Sequence, residues 1–343
     1  MLAELEQIAT SPEFLWNGVA CTPQGDLFAS FPAWLGPSPG VMQVHRNGHL
    51  QPFPGNAWND WAPGKDPATC FVDVNSICLD GKGSLWVVDA AAPYLGSAIE
   101  GGVKLVELDL ATRATKRVVV FDRKDAHSDT RLAHMRFHGD HAFLVESKEA
   151  SIFVIDLRTN RYKRVLVGHP LLRCDPADIP VIEGRAMQLH GQPMYFHSDL
   201  IELGSRPDEI LFMCLFGRKI FSVGAETLKD FSLSDFDIAR QVTVAYELDK
   251  PFVSGIARDR QGNLLLADGE TGNLYRMYVD GQQEHVAIGS QITWPIGPTV
   301  GTDGSIYLVD CQVNRIPVFT GGDDRVHRPW KMYKVESPGW AVA

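Results

Sequence analysis

Carboxylates, histidines and amides recur in this sequence at the two ends of a repeated unit, a placement that lets distant residues act together. Strand-opening positions carry Asn17, Asn75, His134, His197, Ser198, Ser254 and Trp294, and strand-closing positions carry Asp89, Glu146, Asp268 and Asp310. Histidine is the side chain whose ordinary titration range spans neutral pH, and carboxylates held near it complete a proton-transfer pair. The expected catalytic set is therefore Glu146, His134, His197 and Asp310, with Glu146 favoured because its longer side chain reaches further than aspartate. Asn17, Asn75, Asp89, Ser198, Ser254, Asp268 and Trp294 are expected to bind substrate, with Tyr94 and Tyr195 as nearby hydroxyls. A competing reading holds for the aspartates. An Asp ending a strand often caps the next turn, and recurrence at one repeat position is what a structural role produces.

The unit that places these residues is a hairpin. It reads WNGVACTPQGDLFAS at 16–30, VNSICLDGKGSLWVVDA at 74–90, VSGIARDRQGNLLLADG at 253–269 and IGPTVGTDGSIYLVDC at 296–311, with weaker copies at 132–147 and 197–214. Each is an apolar strand, a tight turn rich in Asp and Gly, and a second apolar strand. Equivalent starts at Asn17, Asn75, Ala133, Ser198, Ser254 and Ile296 are separated by 58, 58, 65, 56 and 42 residues. That period accommodates a four-stranded sheet, and six radial copies make an all-β, six-bladed β-propeller, one domain over residues 1–343. The short final interval implies that the N-terminal segment pairs into the last blade and closes it, removing two exposed edges. Helical pattern is confined to a turn or so in LKDFSLSDFDIAR. A hairpin returns to its starting end, so strand openings and strand closings share one mouth of the central channel, and the Asp/Gly turns share the other.

Trp58 and Trp61 stand with Trp34 in loops rich in Pro and Gly, where they either pack across a blade face or form a lid over a flat substrate. Hydrophobic residues make up 45% and charged residues 22% of the 343, ordinary for a globular chain. The net charge of −10 argues against a nucleic-acid partner and against an anionic membrane. The start of the chain lacks a basic segment followed by an apolar one, and the six cysteines have no CxxC spacing, which together predict a cytoplasmic protein with free thiols. Nucleophile elbows, HExxH, phosphate-binding loops and calcium-loop patterns are absent from the sequence.

The segments FPAW, PFPGNAWNDW, FVDVNSICLDGKGSLWVVDA, GGVKLVELDL, SIFVIDL before VLVGHP, and TWPIGPTVGTDGSIYLVD before NRIP resemble the royal jelly/yellow protein family, in its bacterial branch related to dopachrome tautomerase. More distantly, the chain resembles the senescence-marker/gluconolactonase propellers. The first resemblance implies acid–base chemistry on an aromatic or oxygenated ring compound, as a tautomerase or isomerase or an epoxide-opening hydrolase. The second implies a metal-dependent lactonase. A non-catalytic carrier of small ligands is the third reading. The lactonases hold a divalent metal on a Glu/Asn/Asp set, whereas this chain has Leu132-Ala133-His134, Ser198-Asp199 and Val145-Glu146-Ser147 where relatives carry further Asn or Asp ligands. No cofactor is expected on these grounds; a calcium ion, were one bound, would be held by Asn17, Asn75 and Glu146, with His134 beside them. The expected partner is a small molecule.

Overall fold

The computed structural model describes residues 3–287 and 289–336, and it is a six-bladed β-propeller. Blade one runs Gly18–Cys21, Leu27–Phe31, Gly40–Val44 and Leu50–Pro52; blade two runs Val74–Leu79, Ser84–Asp89, Lys104–Asp109 and Thr115–Val120. Blade three begins at Leu132–His138, blade four at Ser198–Leu203, blade five at Val253–Arg258 and blade six at Pro295–Val300. Every sheet is antiparallel, because each connection is a hairpin. The outermost strand of blade six is the N-terminal strand Leu5–Ser11, which pairs with Trp330–Val335 from Leu5↔Val335 to Ser11↔Trp330. The expected closure is thus present, and it explains why the final repeat is short. The segment expected to hold a helical turn forms two short helices, Ala225–Lys229 and Asp235–Ala239. Among the described residues no helix is long and apolar enough to cross a membrane.

The innermost strands of neighbouring blades contact one another round the whole ring. Apolar side chains fill the wedges between blades: Phe28, Val41, Phe53, Val87 and Leu108 between one and two, and Phe143, Val154, Ile201, Phe212 and Leu228 between three and four. Alternating strand faces place the same residue types in each wedge, so the repeat and the core are one pattern. Polar bonds stitch the ring at its axis. Asn17 Nδ2 donates to the Asn75 carbonyl at 2.9 Å, Asn75 Nδ2 to the Leu132 carbonyl at 2.7 Å, and Ser254 Oγ to the Pro295 carbonyl at 2.5 Å.

The strand-closing carboxylates form the corners of the blades. Asp89 pairs opposite Val74, Glu146 opposite Leu132, Asp268 opposite Val253 and Asp310 opposite Pro295. Asp89 accepts from the backbone N–H groups of Val72, Asp73 and Ala91, all at 2.9 Å, and meets Lys104 Nζ at 2.6 Å with both side chains fully buried. The lysine is satisfied in turn by the carbonyls of Pro67 and Gly102. Truncating one member of such a pair strands a buried charge. Lys104→Met is therefore expected to cost about 3–5 kcal/mol in denaturant unfolding, and adding Asp89→Asn is expected to recover part of that loss. A loss in Lys104→Met below about 1 kcal/mol would show that the corner does not depend on the ion pair.

Candidate functional site

One mouth of the channel opens into a pocket lined by Asn17, Trp34, Asn75, Leu95, Arg131, His134, Phe196, Asp199, Leu215, Trp294, Ile296, Val313 and Phe319. Counted to its open mouth it encloses about 400 Å³, and it is so narrow that only about 30 Å³ admits a water molecule. Its walls are aromatic and aliphatic, and its polar groups converge from four blades. Asn17 Nδ2 bonds Asn75 Oδ1 at 2.9 Å. His134 Nδ1 lies 2.8 Å from the Asp199 carbonyl and 3.9 Å from Asp199 Oδ2. A carbonyl can only accept, so Nδ1 carries the proton and Nε2 is left with its lone pair. Burial drives the imidazole down to about 4, keeping it neutral at pH 7, while burial pushes the Asp199 carboxyl up to about 7.

Arg131 is the third polar feature. It is 5% exposed, its Nη2 donates to the carbonyls of Leu95 and Gly96 at 2.6 and 3.4 Å, and its guanidinium lies 5.6 Å from the Phe196 ring. Its Nε has no hydrogen-bond partner. Behind it, Asp73 is buried, holds the Ala33 N–H at 2.8 Å, and is pushed up to about 7 by burial. A buried donor left unpaired at a pocket wall is costly unless a ligand completes it.

Of the residues singled out from the sequence, Asn17, Asn75, His134 and Trp294 are brought together here. The others go elsewhere, for identifiable reasons. Glu146 is fully buried and turned into its corner, where it accepts from the N–H groups of Arg131, Lys148 and Glu149 and pairs with Arg164 at 3.0 Å. Asp310 holds the Thr293 N–H, Asp268 holds those of Glu270 and Thr271, and Asp89 is committed to Lys104. His197 lies in a separate groove and accepts from the Cys174 N–H at 3.0 Å. Ser254 is occupied by ring stitching, and Ser198 is buried at the edge of blade four. Tyr94 is 54% exposed at the rim beside Leu95. Trp58 stacks on Phe71 and donates to Thr115 Oγ1 on the outer strand of blade two, and Trp61 packs between blades two and three. The lid expected of these two tryptophans is absent; Trp34 reaches the pocket instead.

Arg131 and Asp199 escaped the sequence reading. The innermost strands carry a β-bulge near their start, with register shifts at Leu132/Met135 and Ser198/Leu200 among others. The extra residue moves the inward position of blade four from Ser198 to Asp199. The signal was the alignment of Val74 with Ser198 rather than of Asn75 with Ser198.

The metal set expected from Asn17, Asn75 and Glu146 does not converge, because Glu146 faces its corner. What remains is two amides already bonded to each other, one carboxylate, and a guanidinium whose charge opposes a cation's. Such a donor set does not fit a hard divalent ion, which favours several anionic oxygens. Among the described residues, three His/Cys/Asp/Glu donors approach one another only at His138, Asp208 and Glu226 on the surface, where Lys229 Nζ sits 2.8 Å from His138 and 2.7 Å from Glu226.

No family model matches the chain, and no curated protein matches it. Solved structures do. A luciferin-regenerating enzyme superposes with a TM-score of 0.61 at 10% identity, over 98% of this chain and 96% of that one. A calcium-binding protein, regucalcin, from Agrobacterium tumefaciens gives 0.57 at 11% identity, over 98% and 96%. A gluconolactonase from Xanthomonas campestris gives 0.57 at 11% identity, over 98% and 90%. At such identities the likeness is one of fold. It agrees with the distant resemblance to gluconolactonase-like propellers and lends no support to membership of the royal jelly/yellow family.

The raised carboxyl of Asp199 sets a sign for stability against pH. Between its ordinary 3.8 and about 7 the folded chain holds a proton that the unfolded chain has released, so this group makes stability fall as pH rises across that window. Asp199→Asn removes the effect. Its unfolding free energy is expected to match the parent near pH 4 and to exceed it by about 2–4 kcal/mol near pH 8. A constant difference between the two proteins across that range would mean that the carboxyl titrates normally.

Proposed function

We propose that this chain is a small-molecule hydrolase of the lactonase type, acting in the channel-mouth pocket on a planar ring compound with an ester or lactone carbonyl. The observation that carries the reading is the buried Arg131 guanidinium with an unpaired Nε, on the same wall as a neutral histidine and a carboxyl that titrates near neutrality. The fold is shared with a gluconolactonase, which makes a ring-opening hydrolase a better match than the tautomerase or epoxide-opening reaction expected from the sequence.

The chemistry follows from the positions. His134 Nε2 takes a proton from water, and the water oxygen bonds to the carbonyl carbon. Negative charge gathers on the carbonyl oxygen, where Arg131 Nε supplies a preorganised donor in a site with little water. The Asp199 carboxyl, 3.9 Å from the imidazole at Oδ2, gives its proton to the departing ring oxygen; the carboxylate so formed offsets the imidazolium charge, and transfer of the imidazolium proton to it restores both groups. The ring C–O bond breaks and a hydroxy acid results. Trp34, Phe196, Trp294 and Phe319 supply flat apolar surface for the ring. The reading is metal-independent, in keeping with the donor set.

Hydrolysis of a panel of aliphatic and aryl lactones, followed by proton release with and without EDTA, tests the proposal. Turnover is expected to survive EDTA and to fall as pH rises above about 7, where Asp199 loses its proton. Arg131→Met is expected to lower kcat/KM by about 100-fold, mainly through kcat, with the melting temperature little changed. Turnover abolished by EDTA and restored by calcium would favour the metal-dependent lactonase. Saturable binding without product across the panel would favour a carrier.

A further inference from the structure

Four blades have a carboxylate at the corner position described above; blades one and four do not. The residue opposite Ser198 is Cys214. The loop leading into that blade brings a second thiol to the same corner. Cys174 Sγ lies 3.1 Å from the Phe196 carbonyl, and Cys214 Sγ lies 3.5 Å from the Leu172 carbonyl. Cys214 Sγ thus lies against the loop two residues ahead of Cys174, and His197 stands beside that loop, its Nδ1 accepting from the Cys174 N–H at 3.0 Å. The pair lines a groove of about 1130 Å³ with Tyr195, Asp178 and Arg218, outside the channel pocket. Cys214 is buried, whereas Cys174 is partly exposed in that groove.

Both sulfurs have carbonyl oxygens as neighbours, so a thiolate on Cys174 is favoured by the adjoining thiol and imidazole rather than by the backbone N–H groups that seat the corner carboxylates elsewhere. Hydrogen bonding from Cys214, and then from His197, draws the Cys174 thiol down to about 6 against the effect of burial. The charged groups acting on the pair are His197, Asp199 and Asp178, the last committed to Arg218 at 2.6 Å. Burial pushes Cys21 and Cys78 up to about 11 and raises Cys70 and Cys311 as well. Cys174 is thus set apart from the other thiols by chemistry, and with Cys78 it is one of two that are not buried.

We propose that Cys174 and Cys214 form a peroxide-reactive dithiol, with Cys174 as the attacking thiolate and Cys214 as the resolving thiol. Cys174 sulfur attacks one oxygen of a hydroperoxide, the O–O bond breaks, and the leaving oxygen takes a proton to depart as water or alcohol, leaving a sulfenic acid. Cys214 sulfur then attacks Cys174 sulfur; the S–O bond breaks and the hydroxyl leaves with the Cys214 proton as water. Two electrons pass from the two sulfurs to the peroxide, and a thiol reductant reverses the bond.

The full-length protein tests this directly. Limiting iodoacetamide at about pH 6.5, read by peptide mass spectrometry, is expected to label Cys174 about tenfold faster than Cys21, Cys70, Cys78 or Cys311. Stoichiometric hydrogen peroxide is expected to remove two free thiols and yield a Cys174–Cys214 linked peptide that dithiothreitol releases. In Cys214→Ser the sulfenic acid is expected to accumulate and to be trapped by dimedone at Cys174. Labelling of Cys174 no faster than of Cys70 overturns the proposal. So does peroxide treatment that leaves both thiols free, or that oxidises Cys174 without the linkage. The first two measurements use the unaltered protein, so they decide the matter even where the variant fails to fold.

Discussion

The site exists only because the ring is shut. A propeller's axis is a place where six sheets converge, and convergence lasts only while the first and last of them are held together. Here that task falls to the antiparallel pairing of Leu5–Ser11 with Trp330–Val335, together with the packing of the inner strand of blade one on that of blade six. The residues joined lie more than three hundred positions apart, so the contact is among the last that chain entropy favours.

Polarity in this fold is divided between scaffold and site by orientation rather than by residue type. The corner carboxylates are as buried as any catalytic acid, yet they are consumed by backbone N–H groups and by Lys104 or Arg164. A carboxylate that already accepts three or four bonds has no capacity left for a substrate. The carboxyls with few partners are Asp199 and Asp73, which flank Arg131, and Asp310 at the corner of blade six, all three pushed up to about 7 by burial. Incomplete satisfaction round Arg131, set against the full satisfaction of Asp89 and Glu146, is the contrast on which the proposed chemistry draws.

The architecture was legible in the sequence because hairpin spacing and strand alternation are local and repeat six times. Even the closure by the N-terminal strand followed from arithmetic on the last repeat. Membership of the site was legible only in part. Asn17, Asn75, His134 and Trp294 were placed correctly, since a hairpin does return to its own mouth. Glu146 and Asp310 reach that same end but face a corner, and strand order says nothing about which side of a turn a side chain takes. Asp199 was displaced by a one-residue bulge, and a shift of one residue reverses the face of a strand. Arg131 precedes its strand altogether, outside any repeat-based search. Trp58 and Trp61 answer to blade packing, a long-range fact without a local signature.

His134 lines the channel-mouth pocket and also the funnel that opens at the opposite face among Ser76, Cys78, Arg136, Glu202 and Thr299. The partition between two solvent compartments is therefore a single imidazole thick. A change of side chain at His134 therefore reshapes both ends of the axis at once.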